Sequence, residues 1–317
     1  MGTTPPPCAP GACGVLTDVT GVLVGHWTDQ SARTGCTVVL LPRGNVCSGE
    51  IRGGAPGTRE FALLDPTRMV TGVDAVVLTG GSAFGLAACD GVMRWCSENG
   101  RGFATRFGNV PIVVGAVIYD LSIAAAGVRP TEASGYAACS VASSGPHEVG
   151  LVGAGIGATR SKWRGNDHVL HGGLGAATVC SGDVIVSALM VVNPIGDIVM
   201  DGPIPFDDVT SIVPAFRSLA AASAASDVGQ NTTIGVVVTN ARLDKLGCHL
   251  VAQSGHDGIA RAVWPAHLTG DGDAIIAACV PTVEAPLDAV RALAAEAVAM
   301  AIRNVGARGP SEIQLRR

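Results

Sequence analysis

Thr232 stands where a polar turn opens into a β-branched run, the sequence Thr-Thr-Ile-Gly-Val-Val-Val-Thr-Asn of residues 232–240. The pattern predicts that Thr232 is the first residue of a buried strand and that Asn231 lies in the preceding loop. A cut between these two residues would give Thr232 a free α-amine beside its own hydroxyl. Because an α-amine titrates near pH ~8, a neutral fraction could take the hydroxyl proton and activate a nucleophile. By itself, however, the stretch is more typical of an ordinary turn into a strand.

Two aspartates precede a second apolar run. Asp271 and Asp273 belong to Gly-Asp-Gly-Asp at 270–273, directly before Ala-Ile-Ile-Ala-Ala-Cys. Alone, this motif is typical of an Asp-Gly turn. As a functional pair, the two carboxylates could orient an amine or shuttle a proton, and their closeness would raise the pKa of one of them.

Three further polar residues sit at the ends of apolar runs: Tyr119, Lys162 and Asn193. Taken singly, each is more typical of a structural role than of a catalytic one. A tyrosine in such a run usually packs in the core with a satisfied hydroxyl, and an asparagine before Pro194 can cap a turn. The Gly-Gly-Ser-x-x-Gly turn at 80–85 could cradle a phosphate, but it lacks the lysine of a P-loop. Tight packing on the preceding strand is therefore the favoured interpretation.

Composition bounds the class of protein. The chain has 317 residues, of which 48% are hydrophobic and 15% charged, enough apolar material for one large domain or two small ones. The net charge of −5 and the lack of a basic run argue against nucleic-acid binding. The ten cysteines form no C-x-x-C pair and lie mostly in apolar surroundings. They predict reduced core residues in a cytoplasmic protein without a metal site.

The first fourteen residues are Pro-rich, with no basic region and no long apolar segment. They predict a disordered arm over 1–14 rather than a signal peptide. No apolar run has the length and boundaries of a membrane span, so we expect a protein without a membrane partner.

Hydrophobic periodicity predicts an alternation of strands and helices. Strands are expected at 22–28, 36–41, 46–51, 150–159, 172–179, 184–193 and 274–279, with others beginning at 74 and 232, and residues 110–121 form a strongly apolar run. Helices are expected at 86–99, 131–143, 213–226, 243–261 and 287–305. The strands read as mostly antiparallel and buried on both faces. This pattern favours an α/β (α+β) domain with two stacked sheets and helices outside.

In combination, four motifs change the interpretation of the single residues. In chain order they are Ala-Val-Ile-Tyr-Asp-Leu at 116–121, Val-Val-Asn-Pro at 191–194, Asn-Thr-Thr-Ile to Val-Thr-Asn-Ala-Arg-Leu at 231–243, and His-Leu-Thr-Gly-Asp-Gly-Asp at 267–273. Over residues 16–305 the chain resembles the N-terminal-nucleophile hydrolases that include D-stereospecific aminopeptidase/esterases, β-peptidyl aminopeptidases and the nylon-oligomer (6-aminohexanoate-oligomer) hydrolase. The threonine with two aspartates is most similar to the last of these.

The resemblance implies a role for each candidate residue. Thr232 would be the nucleophile, and Asp271 and Asp273 would position its amine. Two others, Lys162 and Asn193, would support cleavage and the site. Tyr119 would face the oxyanion, and its hydroxyl or the Asn193 amide would donate a hydrogen bond to it. The resemblance implies no metal and no organic cofactor.

The resemblance also implies a fold and an assembly. Residues 15–317 would form a single four-layer αββα sandwich with two stacked mixed sheets. The precursor would cut itself into a large subunit, 1–231, and a small subunit, 232–317, and four such heterodimers would form a tetramer. The expected activity is that of an aminopeptidase or amidase acting on short peptides, amino-acid amides or ω- and β-amino-acid oligomers. Two alternatives stay open: acyl transfer of the ornithine acetyltransferase type, and an uncleaved, non-catalytic member.

Overall fold

The computed structural model describes residues 14–200, 202, 204, 206–222 and 231–308. Most of the expected arm, residues 1–13, lies outside this part of the chain. The strands, in chain order, are β1 Leu23–Asp29, β2 Thr34–Leu40, β3 Val46–Ile51, β4 Thr58–Arg59, β5 Ala75–Thr79, β6 Phe103–Thr105, β7 Gly108–Val110, β8 Val113–Val117, β9 Thr159–Arg160, β10 Leu170–His171, β11 Gly173–Ser181, β12 Val184–Asn193, β13 Asp197–Ile198, β14 Thr232–Ala241, β15 Val263–Trp264 and β16 Ala274–Val283.

The α-helices are α1 Ala88–Glu98, α2 Glu132–Ser140, α3 Phe206–Ala222, α4 Lys245–Ala262 and α5 Leu287–Gly306. Short 3-10 helices connect several elements: Leu16–Asp18, Phe61–Leu64, Ser82–Ala87, Gly153–Gly155, Lys162–Arg164 and Asn166–His168. No helix in the described ranges is long and apolar enough to cross a membrane.

Most strands join one of two five-stranded mixed sheets. The first has the order β1-β2-β5-β8-β4, and the second has the order β11-β12-β14-β16-β3. Each contains one parallel pair, β5 with β8 and β14 with β16, flanked by antiparallel neighbours. The remaining short strands form two-stranded pairs, β6 with β7, β9 with β10, and β13 with β15.

The two sheets stack face to face, and helices cover their outer faces. Alternate side chains of a strand point to opposite faces. In β2, Val39 enters the core between the sheets, whereas Val38 packs in the outer core with residues of α1 and α2. In β14, Val236 likewise lies between the sheets, and Val237 packs in the outer core formed with α4 and α5. The layers are therefore α, β, β and α, which confirms the expected sandwich.

The structure confirms the strands at the centre of the second sheet and four of the five predicted helices, with shifts of a few residues at their ends. The fifth, α3, begins at Phe206 rather than at 213. Two aspartates in its first turn, Asp207 and Asp208, interact favourably with the helix dipole and extend the helix toward its N-terminus. The last part of the predicted range, 223–226, lies outside the described residues.

The expected strand over 150–159 is wrong. This segment forms a 3-10 turn at Gly153–Gly155, and only its last residue enters a strand. The backbone amides of Gly153 and Ala154 donate to the hydroxyls of Thr28 and Thr37. Because these amides are taken by threonine side chains of β1 and β2, they cannot join a strand ladder. The apolar run over 110–121 begins at the last residue of β7 and contains the whole of β8.

Candidate active site

The register of the second sheet brings distant segments to one end of β14. In the antiparallel pair of β12 and β14, Asn193 lies opposite Thr232. On the other side, the parallel pairing of β14 and β16 continues beyond the strands through a bridge between Asn231 and Asp271. Thr232 is thus the first residue of a central strand, as predicted, with an amide on one side and the aspartate loop on the other.

Thr232 is buried, and its hydroxyl donates a hydrogen bond to the carbonyl oxygen of Asn231. The backbone N–H of Gly272 donates to the same oxygen at 2.9 Å. The hydroxyl expected to act as the nucleophile therefore lies beside the carbonyl of the bond expected to be cut.

Asp273 holds the start of β14. Its Oδ1 accepts from the backbone N–H of Thr233 at 2.6 Å, and its Oδ2 lies 2.8 Å from Nδ1 of His267. The aspartates are expected to position the amine of Thr232, and the structure instead directs Asp273 to the next amide along the strand, that of Thr233. Within the described residues, the hydrogen bonds of Asp273 thus fix the backbone that presents Thr232.

His267 is a site residue that the sequence reasoning missed. Burial opposes its protonation, but the hydrogen bond and charge of Asp273 outweigh burial and raise the pKa of His267. On its other side, Nε2 lies 3.2 Å from the carbonyl oxygen of His256. The available signal was its place at the start of the His-Leu-Thr-Gly-Asp-Gly-Asp motif, six residues before Asp273.

Asp271 is buried like Asp273, with 1% of its surface exposed, but its oxygens are less fully bound. Oδ2 accepts from the N–H of Leu268 at 2.9 Å. Oδ1 has no hydrogen-bond partner of normal geometry among the described residues, although the Ile195 amide faces the carboxyl group. Burial first, and then the charge of Asp273, raise the pKa of Asp271 to about 6. Asp271 can therefore be protonated or ionised near neutral pH.

Lys162 binds Asn193, which lies on the side of Thr232 opposite the two aspartates, and the two residues form one wall of the site. Nζ of Lys162 donates to both the carbonyl and the side-chain oxygen of Asn193 at 3.1 Å, and to Oγ1 of Thr159 at 2.9 Å. Burial lowers the pKa of Lys162 to about 7, against the opposing charges of Asp271 and Asp273. The lysine thus carries a neutral amine in part of its population at neutral pH. Thr159 was not anticipated, because nothing in its local sequence distinguishes it.

Tyr119 joins this wall through its backbone. Its carbonyl oxygen accepts from Nδ2 of Asn193 at 3.4 Å. We expected the Asn193 amide or the Tyr119 hydroxyl to serve as the oxyanion donor. The structure directs the Asn193 amide to Tyr119, and Oδ1 of Asn193 accepts from the backbone N–H of Thr159 at 2.8 Å.

A Gly-rich segment after β3 forms hydrogen bonds with the loop that carries Asp271 and Asp273. The backbone amides of Arg52 and Ala55 donate to the carbonyl oxygens of Asp273 and Asp271, at 3.0 and 2.8 Å. A Cβ at Gly53 would lie 2.2 Å from the Asp271 carbonyl oxygen. Glycine is therefore required at 53 for the two backbones to approach this closely.

The Gly-rich turn after β5 is occupied by the protein itself. The N–H of Gly81 donates to Oδ1 of Asp120 at 2.7 Å, and the N–H of Ser82 donates to the carbonyl of Ile118. These two amides are not available to a phosphate, so the turn packs on the strand as favoured from the sequence.

A cavity of about 440 Å³ lies beside the site, lined in part by Arg160, Arg164 and Trp264. None of the seven candidate residues is among the described residues that line it. In the part of the chain that the structure describes, no group of three or more His, Cys, Asp or Glu residues is arranged to hold a metal ion.

The arrangement can carry out acyl transfer. It combines a buried hydroxyl, an adjacent carbonyl held by a backbone donor, a lysine with a pKa near 7 and a carboxyl with a pKa near 6. These are the parts that attack on a carbonyl requires: a nucleophile, an acceptor for its proton and a donor to the developing oxyanion.

Comparison with known proteins agrees with this chemistry. The model of Peptidase family S58 matches residues 14–307. An uncharacterized aminopeptidase of Mycobacterium leprae (strain TN) is 43% identical over 297 residues, covering 85% of this chain and 79% of the relative. A 6-aminohexanoate-oligomer endohydrolase of Kocuria sp. (strain KY2) is 34% identical over 284 residues, covering 85% of this chain and 76% of the relative.

A solved structure is similar over most of the chain. The L-aminopeptidase D-Ala-esterase/amidase of Ochrobactrum anthropi, described as a variant of the Ntn hydrolase fold, aligns with a TM-score of 0.66 at 20% sequence identity. The alignment covers 92% of this chain and 85% of that one. At this level of identity the likeness shows a shared fold.

Proposed function

The chain belongs to peptidase family S58, and on that premise we propose that it is a self-processing amide hydrolase with Thr232 as its nucleophile. Its membership makes it a hydrolase of peptide or amide bonds. One observation supports the finer proposal above all: the buried hydroxyl of Thr232, at the first position of a central strand, lies against the carbonyl oxygen of Asn231.

The first proposed reaction is cleavage of the chain before Thr232. Oγ of Thr232 attacks the carbonyl carbon of Asn231, a C–O bond forms, and the C–N bond to Thr232 breaks. The hydroxyl proton is passed to the leaving nitrogen, and the neutral amine of Lys162 is the base proposed to carry it. Water then hydrolyses the ester, which leaves a carboxylate on Asn231 and restores the hydroxyl of Thr232.

The second reaction is turnover of substrate by the cleaved enzyme. The new α-amine of Thr232 takes the proton from its own hydroxyl, and Oγ attacks the substrate carbonyl. The substrate amine leaves with that proton, and water hydrolyses the acyl-enzyme. Asp273 fixes the Thr233 amide. Oδ1 of Asp271, which has no normal hydrogen-bond partner among the described residues, is proposed to receive the new ammonium group of Thr232.

The proposed substrates are short peptides, amino-acid amides or oligomers of ω- and β-amino acids. One relative is named for hydrolysis of 6-aminohexanoate oligomers and another is named an aminopeptidase. Release of N-terminal residues is the specific activity we propose. The assembly proposed is a tetramer of cleaved heterodimers in the cytoplasm. Several buried cysteines keep free thiols, which is compatible with a reducing compartment: Cys36, Cys47, Cys89, Cys96, Cys139, Cys248 and Cys279.

Intact-mass analysis of the purified protein after incubation tests self-processing. We expect fragments 1–231 and 232–317, and an N-terminal sequence of Thr-Thr-Ile-Gly-Val for the smaller one. Thr232→Ala should stay whole and inactive, and Thr232→Ser should keep some cleavage and some activity because the hydroxyl remains. Cleavage before Thr233, or activity in Thr232→Ala, would exclude Thr232 as the nucleophile.

A panel of aminoacyl p-nitroanilides then separates the alternatives. Hydrolysis in water supports the amidase. Transfer of an acetyl group to glutamate in place of hydrolysis would support the ornithine acetyltransferase alternative, and a whole, inactive chain would support the non-catalytic one. Activity should persist with chelators and with thiol-blocking reagents, because the proposed chemistry uses neither a metal nor a cysteine.

A further inference from the structure

The carbonyl that self-cleavage would attack is already held by a backbone donor. The N–H of Gly272 donates to the Asn231 carbonyl oxygen at 2.9 Å, and the Thr232 hydroxyl lies against the same oxygen. The donor reaches this oxygen because the Asn231–Asp271 bridge extends the parallel pairing of β14 and β16 past the strand ends.

We propose that the Gly272 N–H is the oxyanion donor of the self-cleavage step, an assignment that rests on the proposed function. When Oγ of Thr232 bonds to the Asn231 carbonyl carbon, the carbonyl π electrons move onto the oxygen. The hydrogen bond that Gly272 makes in the uncut chain then becomes a bond to an anion, and such charge-assisted bonds are shorter and stronger. On collapse, the C–N bond breaks and the proton of the hydroxyl goes to the Thr232 nitrogen.

One of the side chains expected to fill this role, the amide of Asn193, is directed elsewhere. The Asn193 amide donates to the Tyr119 carbonyl oxygen. The Gly272 amide, by contrast, points at the scissile carbonyl and belongs to a loop bound on both sides of it. Before Gly272, the N–H of Asp271 donates to the carbonyl of Leu268 at 3.0 Å, and after it the carbonyl of Asp273 accepts from the N–H of Arg52 at 3.0 Å. A donor fixed in this way needs no reorganisation during the reaction.

The lack of a side chain at 272 belongs to the same arrangement. A Cβ on Gly272 would lie 2.8 Å from Oγ1 of Thr232 and 2.7 Å from the carbonyl oxygen of Ala55. Any other residue would push either the attacking hydroxyl or the segment that supports the loop. Glycine therefore lets the amide approach the carbonyl while leaving room for the nucleophile.

Replacing Gly272 by glycolic acid tests the proposal, because the resulting ester removes the N–H and adds no side chain. We expect self-cleavage to slow by about 10²–10³-fold, the usual loss when one oxyanion donor is removed. The matched control is the same replacement at Gly54, whose N–H donates to the carbonyl of Leu268 at 3.3 Å in the same pair of segments. That ester should leave the cleavage rate within about threefold of wild type, because Gly54 does not contact the scissile carbonyl. Cleavage is followed by intact mass, which distinguishes a cut before Thr232 from hydrolysis of the introduced ester.

Equal cleavage rates of the Gly272 ester and wild type would overturn the donor while leaving self-processing intact. A wild-type chain that never cuts would overturn both. A crystal structure of uncleaved Thr232→Ala needs no ester and tests the geometry even where the ester chain fails to fold. Gly272 N within hydrogen-bond distance of the Asn231 oxygen supports the proposal, and a separation beyond about 3.5 Å overturns it.

Discussion

Each sheet has one parallel strand pair, and a buried aspartate lies at one end of each pair. Asp120 follows β8, and Asp271 precedes β16. Each is 1% exposed, and burial raises the pKa of both carboxyl groups. By residue type, exposure and direction of the pKa shift, the two positions cannot be told apart.

They differ in what their oxygens bind. In Asp120, Oδ2 accepts from the Thr34 hydroxyl and Oδ1 from the Gly81 amide, both at 2.7 Å. In Asp271, one oxygen accepts from Leu268, and the other lacks a normal partner in the described part of the chain. A carboxyl group with both oxygens bound joins loops. One with an open oxygen, in the loop that bridges to Asn231, is suited to receive a new charge, so partners rather than burial mark the reactive site.

The largest expected effect tests whether Asp271, unlike Asp120, acts in the reaction. Asp271→Asn should lower kcat for aminoacyl p-nitroanilides by about 10²–10⁴-fold, since an amide cannot hold the ammonium or take part in proton transfer. The measurement uses protein whose cleavage and circular-dichroism spectrum match wild type. Wild-type kcat in this variant would reduce Asp271 to a turn residue.

The pH dependence of self-cleavage tests whether Lys162 is the base of that reaction. Burial lowers the pKa of Lys162 to about 7, so its neutral form is lost as the pH falls below that value. The cleavage rate should therefore fall about tenfold for each pH unit below about 7 and level off above it. Lys162→Arg, which stays charged, should cut slowly and show no such limb. An unchanged pH profile in this folded variant would exclude Lys162 as the base.

Asp120 should show the opposite balance of effects. Asp120→Ala leaves the Gly81 amide and the Thr34 hydroxyl without their carboxylate, which should cost about 2–4 kcal/mol of unfolding free energy. Activity of the folded protein should fall less than about tenfold, because no step uses this carboxyl. Urea unfolding and kcat measured on one preparation give both numbers. Loss of activity with full stability would contradict the comparison.

The smallest expected effect concerns stability at the site itself. The pKa of Asp271 is raised from 3.8 to about 6 in the folded protein, so the folded state binds its proton more tightly. This stabilisation is full below pH 3.8 and is lost as the pH rises through about 6. Asparagine does not ionise, so Asp271→Asn removes this pH-dependent loss. In the uncleaved Thr232→Ala protein, the free energy of unfolding of the Asp271→Asn variant should therefore rise by about 1–3 kcal/mol, relative to the parent with Asp271, as the pH goes from acid to neutral. If the free energy of unfolding of the two proteins depended on pH in the same way, the pKa of Asp271 would not be raised by folding.

Much of the frame could be predicted from the sequence. Long β-branched runs predicted the end of β12 at Asn193 and the start of β14 at Thr232, because Val, Ile and Thr favour strands. The segment at 150–159 could not be predicted, because side-chain hydroxyls of β1 and β2 capture its amides. Such capture depends on residues more than a hundred positions away in the chain.

The residue types at the site were accessible from motifs, whereas their contacts were not. Thr232, Asp271 and Asp273 could be named from the sequence. Which atoms they would meet depends on register: a shift of one residue between β14 and its neighbours would turn each side chain to the opposite face. The hydrogen bonds from Thr233 to Asp273 and from Gly272 to Asn231 follow only from that register.

The sequence by itself determined a layered α/β chain with a threonine at the head of a buried strand, because local preference and periodicity act within a few residues. Tertiary structure alone decided which carboxyl oxygen stays open and that the Gly272 amide meets the Asn231 carbonyl. Both depend on the alignment of segments about forty residues apart, and hydrogen bonds form only over a few ångströms.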